Sequence, residues 1–130
     1  MRKFIRSFIY AWSGIIACSK AEINFRWELF IALIVSIVGW FFNISRTDWI
    51  ILILCFALVL CLEMINTAIE KLADVVSPSI HPQIRLIKDI AAGAVLLSCI
   101  CCVIIGLIIF IPKLLTMIEL TRYLSFFPKL

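Results

Sequence analysis

Charged side chains are scarce in this sequence, making up 15% of its 130 residues, while hydrophobic residues make up 65%. Soluble domains contain about 25% charged and about 45 to 50% apolar residues. The shortage of charge therefore excludes a soluble globular protein and predicts an integral membrane protein. Apolar runs long enough to span a bilayer fill most of the chain, so residues 1–130 are predicted to form one membrane domain without a separate soluble domain.

Glycine is also rare, and the four glycines stand far apart, at positions 14, 39, 93 and 106. A phosphate-binding loop of the G-x-x-x-x-G-K-[ST] type needs closely spaced glycines. The sequence contains no such loop and no protein-kinase signature. These two common ways of binding a nucleotide are therefore excluded.

The six cysteines lie in apolar helical stretches and follow neither zinc-site spacing nor the pattern of a secreted disulfide framework. We interpret them as small apolar side chains. The net charge of +4 is clustered before the first span, on Arg2, Lys3, Arg6, Lys20 and Arg26. Such clusters usually meet anionic lipid headgroups, so no nucleic-acid partner is predicted.

The apolar pattern predicts an all-α chain with an amphipathic surface helix and three transmembrane helices. Residues 1–20 carry apolar side chains at helical spacing, which is typical of a helix lying in the membrane interface, and no cleaved signal peptide is predicted. Residues 21–28 are predicted to connect this helix to the first span, and the spacing of Glu22 and Arg26 predicts a surface ion pair. The three spans are predicted at 27–45, 47–76 and 85–111.

Turn residues set the predicted ends of the spans. Ser45 or Asp48 is predicted to cap the second span, which then forms an antiparallel hairpin with the first. That span exceeds the bilayer thickness of about 30 Å, so its last turns should project into water or headgroups. Two prolines in the SPSIHP segment end it in a polar loop. Pro112 is predicted to end the third span, leaving 112–130 as a tail without an interpretable motif.

Basic residues predict the orientation of the spans. The amino-terminal segment and the loop around Arg85 and Lys88 contain more of them than the hairpin turn, which has only Arg46. Both basic segments should therefore face the cytoplasm, with the hairpin turn and the carboxyl terminus outside.

A polar stripe follows the second span without a break in the helical pattern. Glu63, Asn66, Glu70 and Asp74 fall within an arc of roughly 80° at about 100° per residue. A carboxylate in hydrocarbon costs about 2.5 to 3.5 kcal/mol on insertion scales and is tolerated when it faces protein or a wet cavity. The stripe is thus a candidate functional site, the alternative being a helix that leaves the membrane with its acids solvated.

The predicted topology brings several ionisable side chains to the cytoplasmic side of the membrane. Carboxylates with a lysine suit binding of Mg²⁺ and polyphosphate, and a carboxylate at the membrane boundary suits deprotonation of a lipid hydroxyl. From the residues alone, the prediction is a membrane protein with a cytoplasmic acidic site. The residues concerned are Glu22, Glu63, Glu70, Asp74, His81, Lys88 and Asp89.

These segments resemble the small bacterial lipid kinases of the prokaryotic diacylglycerol kinase and undecaprenol kinase family. The resemblance covers about residues 4 to 113, in the same order and spacing. The matching segments are AEINFRWE, LEMINTAIEKLADVVSP, HP and KDIAAGAV, which begin at positions 21, 62, 81 and 88.

The resemblance implies a homotrimeric helical bundle in the bacterial cytoplasmic (inner) membrane, with active sites between neighbouring chains. It implies transfer of the γ-phosphoryl group of ATP to a lipid alcohol. Glu63 is implied as the general base, and Glu22 and Glu70 as the Mg²⁺ ligands. The resemblance further implies nucleotide contacts from Lys3, Tyr10, Glu22, Glu70, Asp74, Ser79, His81, Lys88 and Asp89, and substrate contacts from Glu63, Asn66, Ala92 and Glu28.

The lipid substrate is the least determined part of this expectation. The SPSIHP, INTAIE and IIGLIIFIPK segments are more similar to the undecaprenol kinases of the family, which favours undecaprenol. Diacylglycerol is the alternative substrate. A non-enzymatic subunit or scaffold of a membrane complex, which would use the polar stripe for helix pairing, is a third possibility.

Overall fold

Four α-helices make up the part of the chain that the computed structural model describes, residues 2–77 and 81–126, with side chains described up to residue 123. In chain order they are α1 (Arg2–Ala21), α2 (Ile23–Phe41), α3 (Arg46–Val76) and α4 (Pro82–Phe126). The last three are long and apolar enough to cross a membrane. The described part of the chain is therefore all-α, as predicted, and it contains the predicted number of helices that could span a membrane.

A single non-helical residue, Glu22, separates α1 from α2, and its backbone is extended at φ −108° and ψ 122°. Arg26 Nη1 donates hydrogen bonds to the carbonyl oxygens of Ser19 and Lys20, each at 3.4 Å. The last carbonyls of a helix lack intrahelical partners, so this guanidinium caps the carboxyl-terminal end of α1 by satisfying two of them. The Glu22 carboxylate pairs with Lys71 instead of Arg26, so the predicted ion pair within the 21–28 segment is wrong.

The first span is displaced toward the amino terminus from its predicted position. It covers Ile23–Phe41 rather than 27–45. No proline or glycine interrupts residues 21–28, so the helix resumes directly after Glu22 and the connection is much shorter than expected. The apolar side chains of Phe4, Phe8 and Trp12 on α1 are exposed, and the position of α1 on a membrane surface stays a prediction.

The hairpin between α2 and α3 is closed by local hydrogen bonds. Asn43 has a left-handed backbone with φ 46°, which asparagine tolerates better than most residues. The Asp48 amide donates to Ser45 Oγ at 3.1 Å while the Ser45 amide donates to Asp48 Oδ2 at 3.0 Å. This capping box confirms that both predicted capping residues act at the start of α3. It places α3 one residue from its predicted start and at its predicted end.

The helices α2 and α4 both pack against α3, which is the central element. Buried Ile44, Leu52 and Ile109 form a small core where the hairpin meets α4. The Phe42 and Phe110 rings lie edge to face there, with centroids 6.3 Å apart. Residues of α4 after Phe110 therefore continue beyond the level of the hairpin turn.

The helix α4 differs from the predicted third span at both ends. It begins at Pro82 rather than residue 85, since proline fits the first turn of a helix, where its missing amide costs nothing. It also continues through Pro112, so the predicted end at 111 is wrong. Proline removes one hydrogen bond, but leucines and methionine after it favour the helix, and Thr116 Oγ1 donates to the Pro112 carbonyl at 2.9 Å.

Candidate functional site

The polar stripe of α3 begins buried and ends exposed. Glu63 is 3% exposed and Asn66 9% exposed, whereas the side chain of Asp74 is 70% exposed. Next to Asn66, buried Thr67 Oγ1 lies 3.7 Å from the Cys18 Sγ of α1, so the end of α1 covers this part of the stripe. The alternative of uniformly solvated acids is wrong for Glu63, because the chain removes this carboxylate from solvent.

Glu63 lies within a cluster of acidic side chains contributed by α2, α3 and the junction before α2. Its charge interacts with those of Glu22 and Glu70, and Glu28 interacts with it from α2. The Asn24 side chain lies beside the Glu63 carboxylate. Because like charges at short range repel, this cluster is electrostatically suited to a bound cation.

Asn66 connects the buried and exposed ends of the stripe. Its Nδ2 donates to Glu70 Oε1 at 3.2 Å, across one helical turn. Its Oδ1 is buried and has no hydrogen-bond partner in the described part of the chain. A buried polar atom without a partner is costly, so this oxygen is available to a donor supplied by a ligand.

Two lysines flank the acidic cluster. Lys71 Nζ lies 3.7 Å from Glu22 Oε1, and Lys88 Nζ donates to Asp74 Oδ1 at 2.9 Å. The charge of Lys88 also interacts with that of Glu70. The structure therefore brings together the carboxylates proposed for a metal and a lysine able to contact phosphate groups.

His81 and Asp89 lie at the start of α4. His81 Nδ1 accepts a hydrogen bond from the Gln83 amide at 3.3 Å and so caps the helix. Asp89 Oδ2 lies 4.0 Å from Arg85 Nε in an exposed pair. The imidazole Nε2 and much of the Asp89 carboxylate thus remain open to a ligand.

The remaining predicted site residues are spread more widely. Lys3 and Tyr10 are exposed along α1, and Ala92 is exposed on α4. Ser79 lies outside the described residues. The structure therefore brings together Glu22, Glu28, Glu63 and the residues of α3, and it leaves the α1 positions apart from them.

The carboxylates fit Mg²⁺ by chemistry, although in one chain they do not form a complete cage. No group of three histidine, cysteine or acidic residues among those described could hold a metal ion. Mg²⁺ is usually bound by one or two carboxylates together with substrate phosphates and water. Glu22 and Glu70 are oxygen donors of this kind, so they fit a metal that arrives with a nucleotide.

Sequence reasoning missed three contacts of the site. Lys71 pairs with Glu22, Asn24 lies beside Glu63, and Arg26 donates hydrogen bonds to carbonyl oxygens at the end of α1. Two of these join residues about forty or more positions apart, which local periodicity does not detect. The adjacency of Lys71 to Glu70 was the one sequence signal that this lysine belongs to the same region.

Comparison with known proteins finds relatives that match most of this chain. A family model described as prokaryotic diacylglycerol kinase matches residues 9–110. An undecaprenol kinase of Bacillus subtilis is 38% identical over 114 residues, which cover 88% of this chain and 93% of the relative. A diacylglycerol kinase of Synechocystis is 37% identical over 112 residues, 85% of this chain and 64% of the relative. A diacylglycerol kinase of Escherichia coli is 28% identical over 102 residues, 78% and 84% of the two chains.

Proposed function

Because the chain belongs to the prokaryotic diacylglycerol kinase family, we propose that it transfers the γ-phosphoryl group of ATP to undecaprenol, with Glu63 as general base. It is a membrane protein and an ATP-dependent lipid kinase of this family. The observation that carries the proposed site is the burial of Glu63 among the carboxylates of Glu22, Glu28 and Glu70. The family membership argues against a non-enzymatic scaffold.

Glu63 has the position expected of a base acting on a lipid. It lies two helical turns from Glu70, about 10 Å along the axis of α3, and so deeper within the membrane-spanning part of the helix. The hydroxyl of a lipid alcohol would reach this depth, while the nucleotide would remain at the exposed end of the stripe. Glu63 would accept the hydroxyl proton as the oxygen forms a bond to the γ-phosphorus, and the bond from that phosphorus to the β–γ bridging oxygen would break, so that ADP leaves.

Glu22 and Glu70 would hold the magnesium ion of MgATP. The ion supplies neutralisation of the charge that develops on the transferring phosphoryl group. The Asn66 amide, through its bond to Glu70 Oε1, fixes the orientation of one of these carboxylates. Lys71, paired with Glu22, offsets part of the negative charge of the cluster when no nucleotide is bound.

The nucleotide would occupy the exposed end of the stripe. Lys88, held by Asp74, would contact the phosphate groups, and His81 would offer its Nε2 because its Nδ1 caps α4. Asp89 lies one residue after Lys88 on the same helix turn. Lys3, Tyr10 and Ser79 complete the proposed nucleotide contacts.

The proposed choice of undecaprenol rests on the relative from Bacillus subtilis and on the polar groups near Glu63. Diacylglycerol carries ester carbonyls that need hydrogen-bond donors when they are removed from water. The Asn66 Nδ2 already donates to Glu70, and the Asn24 side chain lies beside the Glu63 carboxylate. A simple alcohol therefore fits this surface better than a glycerol ester, and Glu28 and Ala92 complete the proposed contacts.

The proposed assembly is a homotrimer in the bacterial inner membrane, with sites between neighbouring chains and with the amino terminus and the α3–α4 loop in the cytoplasm. The packing of the end of α1 against α3 supports a shared side for α1 and the acidic cluster. Cytoplasmic ATP can reach the proposed nucleotide residues only with this orientation. The trimer rests on the family resemblance.

A direct assay separates the two candidate lipids. The purified protein is incubated with radiolabelled ATP, Mg²⁺ and either undecaprenol or diacylglycerol at matched surface concentration in mixed micelles. We expect a higher kcat/KM with undecaprenol. The reversed ratio would assign the enzyme to diacylglycerol. This lipid is the second candidate because other relatives are named diacylglycerol kinase.

A further inference from the structure

The Lys71 side chain lies on the face of α3 that meets the end of α1. One turn earlier on this face, buried Thr67 Oγ1 lies 3.7 Å from the Cys18 Sγ of α1. Residues four apart lie above one another on a helix, so Lys71 comes level with Glu22, the residue that follows α1. Lys71 Nζ accordingly lies 3.7 Å from Glu22 Oε1. The packing of α1 against α3 thus places a lysine beside one of the two proposed magnesium ligands.

The contact between Lys71 and Glu22 is an attraction between charges without a hydrogen bond. Charge-assisted hydrogen bonds from nitrogen to oxygen measure about 2.7 to 2.9 Å, and a separation of 3.7 Å is too long for one. The side chain of Lys71 is 60% exposed and that of Glu22 is 27% exposed. The lysine can therefore leave the carboxylate without losing a hydrogen bond.

Two other basic side chains of this region are held by different partners. Arg26 Nη1 donates to carbonyl oxygens at the end of α1, and Lys88 Nζ donates to Asp74 Oδ1 at 2.9 Å. Among the ion pairs of the described residues, the one that includes Glu22 is the pair with Lys71. Lys71 is therefore the positive charge that a metal ion would meet at Glu22.

We propose that Lys71 competes with magnesium for Glu22, so that the ion binds firmly only when it arrives with the phosphate groups of the nucleotide. An ammonium group and a divalent ion on the same carboxylate repel each other, so the lysine must leave before the ion can bind. Without phosphate groups, the displaced ammonium loses its anionic partner. With them it gains new acceptors, because its long stem directly follows Glu70 on α3. The inference rests on the proposed function and adds the residue that couples the metal to the nucleotide.

A competing lysine has a signature that other roles of Lys71 lack. Loss of a structural ion pair would change stability and leave metal binding unaltered. Loss of a simple phosphate contact would weaken binding of the nucleotide complex and also leave binding of the metal alone unaltered. Loss of a competitor instead strengthens binding of the metal alone. The sign of this change is the quantity to measure.

The test compares two dissociation constants by titration calorimetry of the purified protein in detergent. One is that of Mn²⁺ alone, a probe that takes the same oxygen ligands as Mg²⁺. The other is that of the preformed complex of Mn²⁺ with a non-hydrolysable ATP analogue. Lys71→Met and Lys71→Gln remove the charge, and Lys71→Arg keeps it. Lys113→Met is the matched control, because it removes one positive charge toward the other end of α4.

Lys71→Met and Lys71→Gln should bind Mn²⁺ alone about tenfold more tightly than the wild type, within the usual range of coupling between two ligands. Neither variant should bind the analogue complex more tightly, because the lysine that is lost would have met the phosphate groups. Lys71→Arg should bind Mn²⁺ no more tightly than the wild type, and Lys113→Met should stay within about twofold of it. Unchanged Mn²⁺ binding in both neutral variants, the same tightening in Lys113→Met, or equal tightening for Mn²⁺ and for the complex would overturn the proposal.

A double variant locates the ion that gains affinity. Adding Glu22→Gln to Lys71→Met should return the dissociation constant of Mn²⁺ to the wild-type value or above it. Retained tight binding would place the ion away from Glu22 and would overturn the proposal. The proposed function fails on a different result, namely a wild-type protein that binds no analogue complex. Because binding of Mn²⁺ alone needs neither ATP nor lipid, the comparison of the Lys71 variants would still decide whether this lysine competes for Glu22.

Discussion

Lys88 Nζ lies 2.9 Å from Asp74 Oδ1, and this contact joins α4 to the end of α3 across the loop between them. The Asp74 side chain is 70% exposed and that of Lys88 is 33% exposed. Exposed pairs of this kind contribute little to stability, because water and salt screen the attraction between the charges. The pair therefore matters more for the position of the lysine than for the fold.

The Lys88→Met variant should raise the KM for MgATP about tenfold or more while the melting temperature changes little. The reason is that a charge facing the phosphate groups is lost, whereas an exposed ion pair contributes little to stability. Lys113→Met is the control, a basic residue toward the other end of α4 whose loss should leave this KM unchanged. A large fall in melting temperature with an unchanged KM would identify Lys88 as structural.

The Glu63→Gln variant should lose about 10² to 10⁴-fold in kcat with little change in the KM for MgATP. Glutamine keeps the size of the side chain and removes proton acceptance. Because Glu63 interacts with the charges of Glu22 and Glu70, its neutralisation should not lower the melting temperature. Glu119→Gln, beyond the segment matched by the family model, is the control and should keep wild-type kcat. Near-normal turnover of Glu63→Gln would exclude the base role.

Gly39 tests the packing of the hairpin. A Cβ at this buried position would lie 3.0 Å from Ile44 Cδ1 and 3.4 Å from the Trp49 ring. Gly39→Val should therefore lower the free energy of unfolding by about 1 to 3 kcal/mol through overpacking. Gly93→Val meets no such neighbour and serves as the control. The measurement is the unfolding midpoint in detergent, and equal midpoints for the two variants would contradict the close approach.

Local signals in the sequence predicted α3 and its site well. The capping box of Ser45 and Asp48, the apolar run and the polar stripe all depend on residues a few positions apart, which helical geometry relates directly. The burial of Glu63 and Asn66 was expected because both are flanked by apolar residues.

Contacts between distant parts of the chain were not predicted. The pairing of Glu22 with Lys71 depends on how α3 packs beside the α1–α2 junction, and no spacing rule relates the two positions. The prediction that the third span ends at Pro112 was wrong for a different reason. Proline usually ends a helix in water, but the strong helix formers after it continue α4 at the cost of one hydrogen bond.

Removing either Glu22 or Glu70 should weaken the response of the enzyme to Mg²⁺. Each Gln variant should need about tenfold more Mg²⁺ for half-maximal activity, and the double variant should be far from additive because the two carboxylates act on one ion. The measurement is kcat against Mg²⁺ concentration for both single variants and the double variant. Additive effects would place the two carboxylates at separate sites.

Mixed assemblies test which chain supplies the α3 residues. Glu63 and Glu70 lie two turns apart on one helix. If a site takes both residues from the same α3, each variant chain lacks one of the two carboxylates that its site needs. Co-assembly of Glu63→Gln chains with Glu70→Gln chains should therefore give no activity above that of the separate variants. Wild-type chains mixed with Glu63→Gln chains provide the control, in which activity should follow the wild-type fraction. Activity restored in the double-variant mixture would show that one site draws Glu63 and Glu70 from different chains, as a composite site between neighbours of an oligomer can.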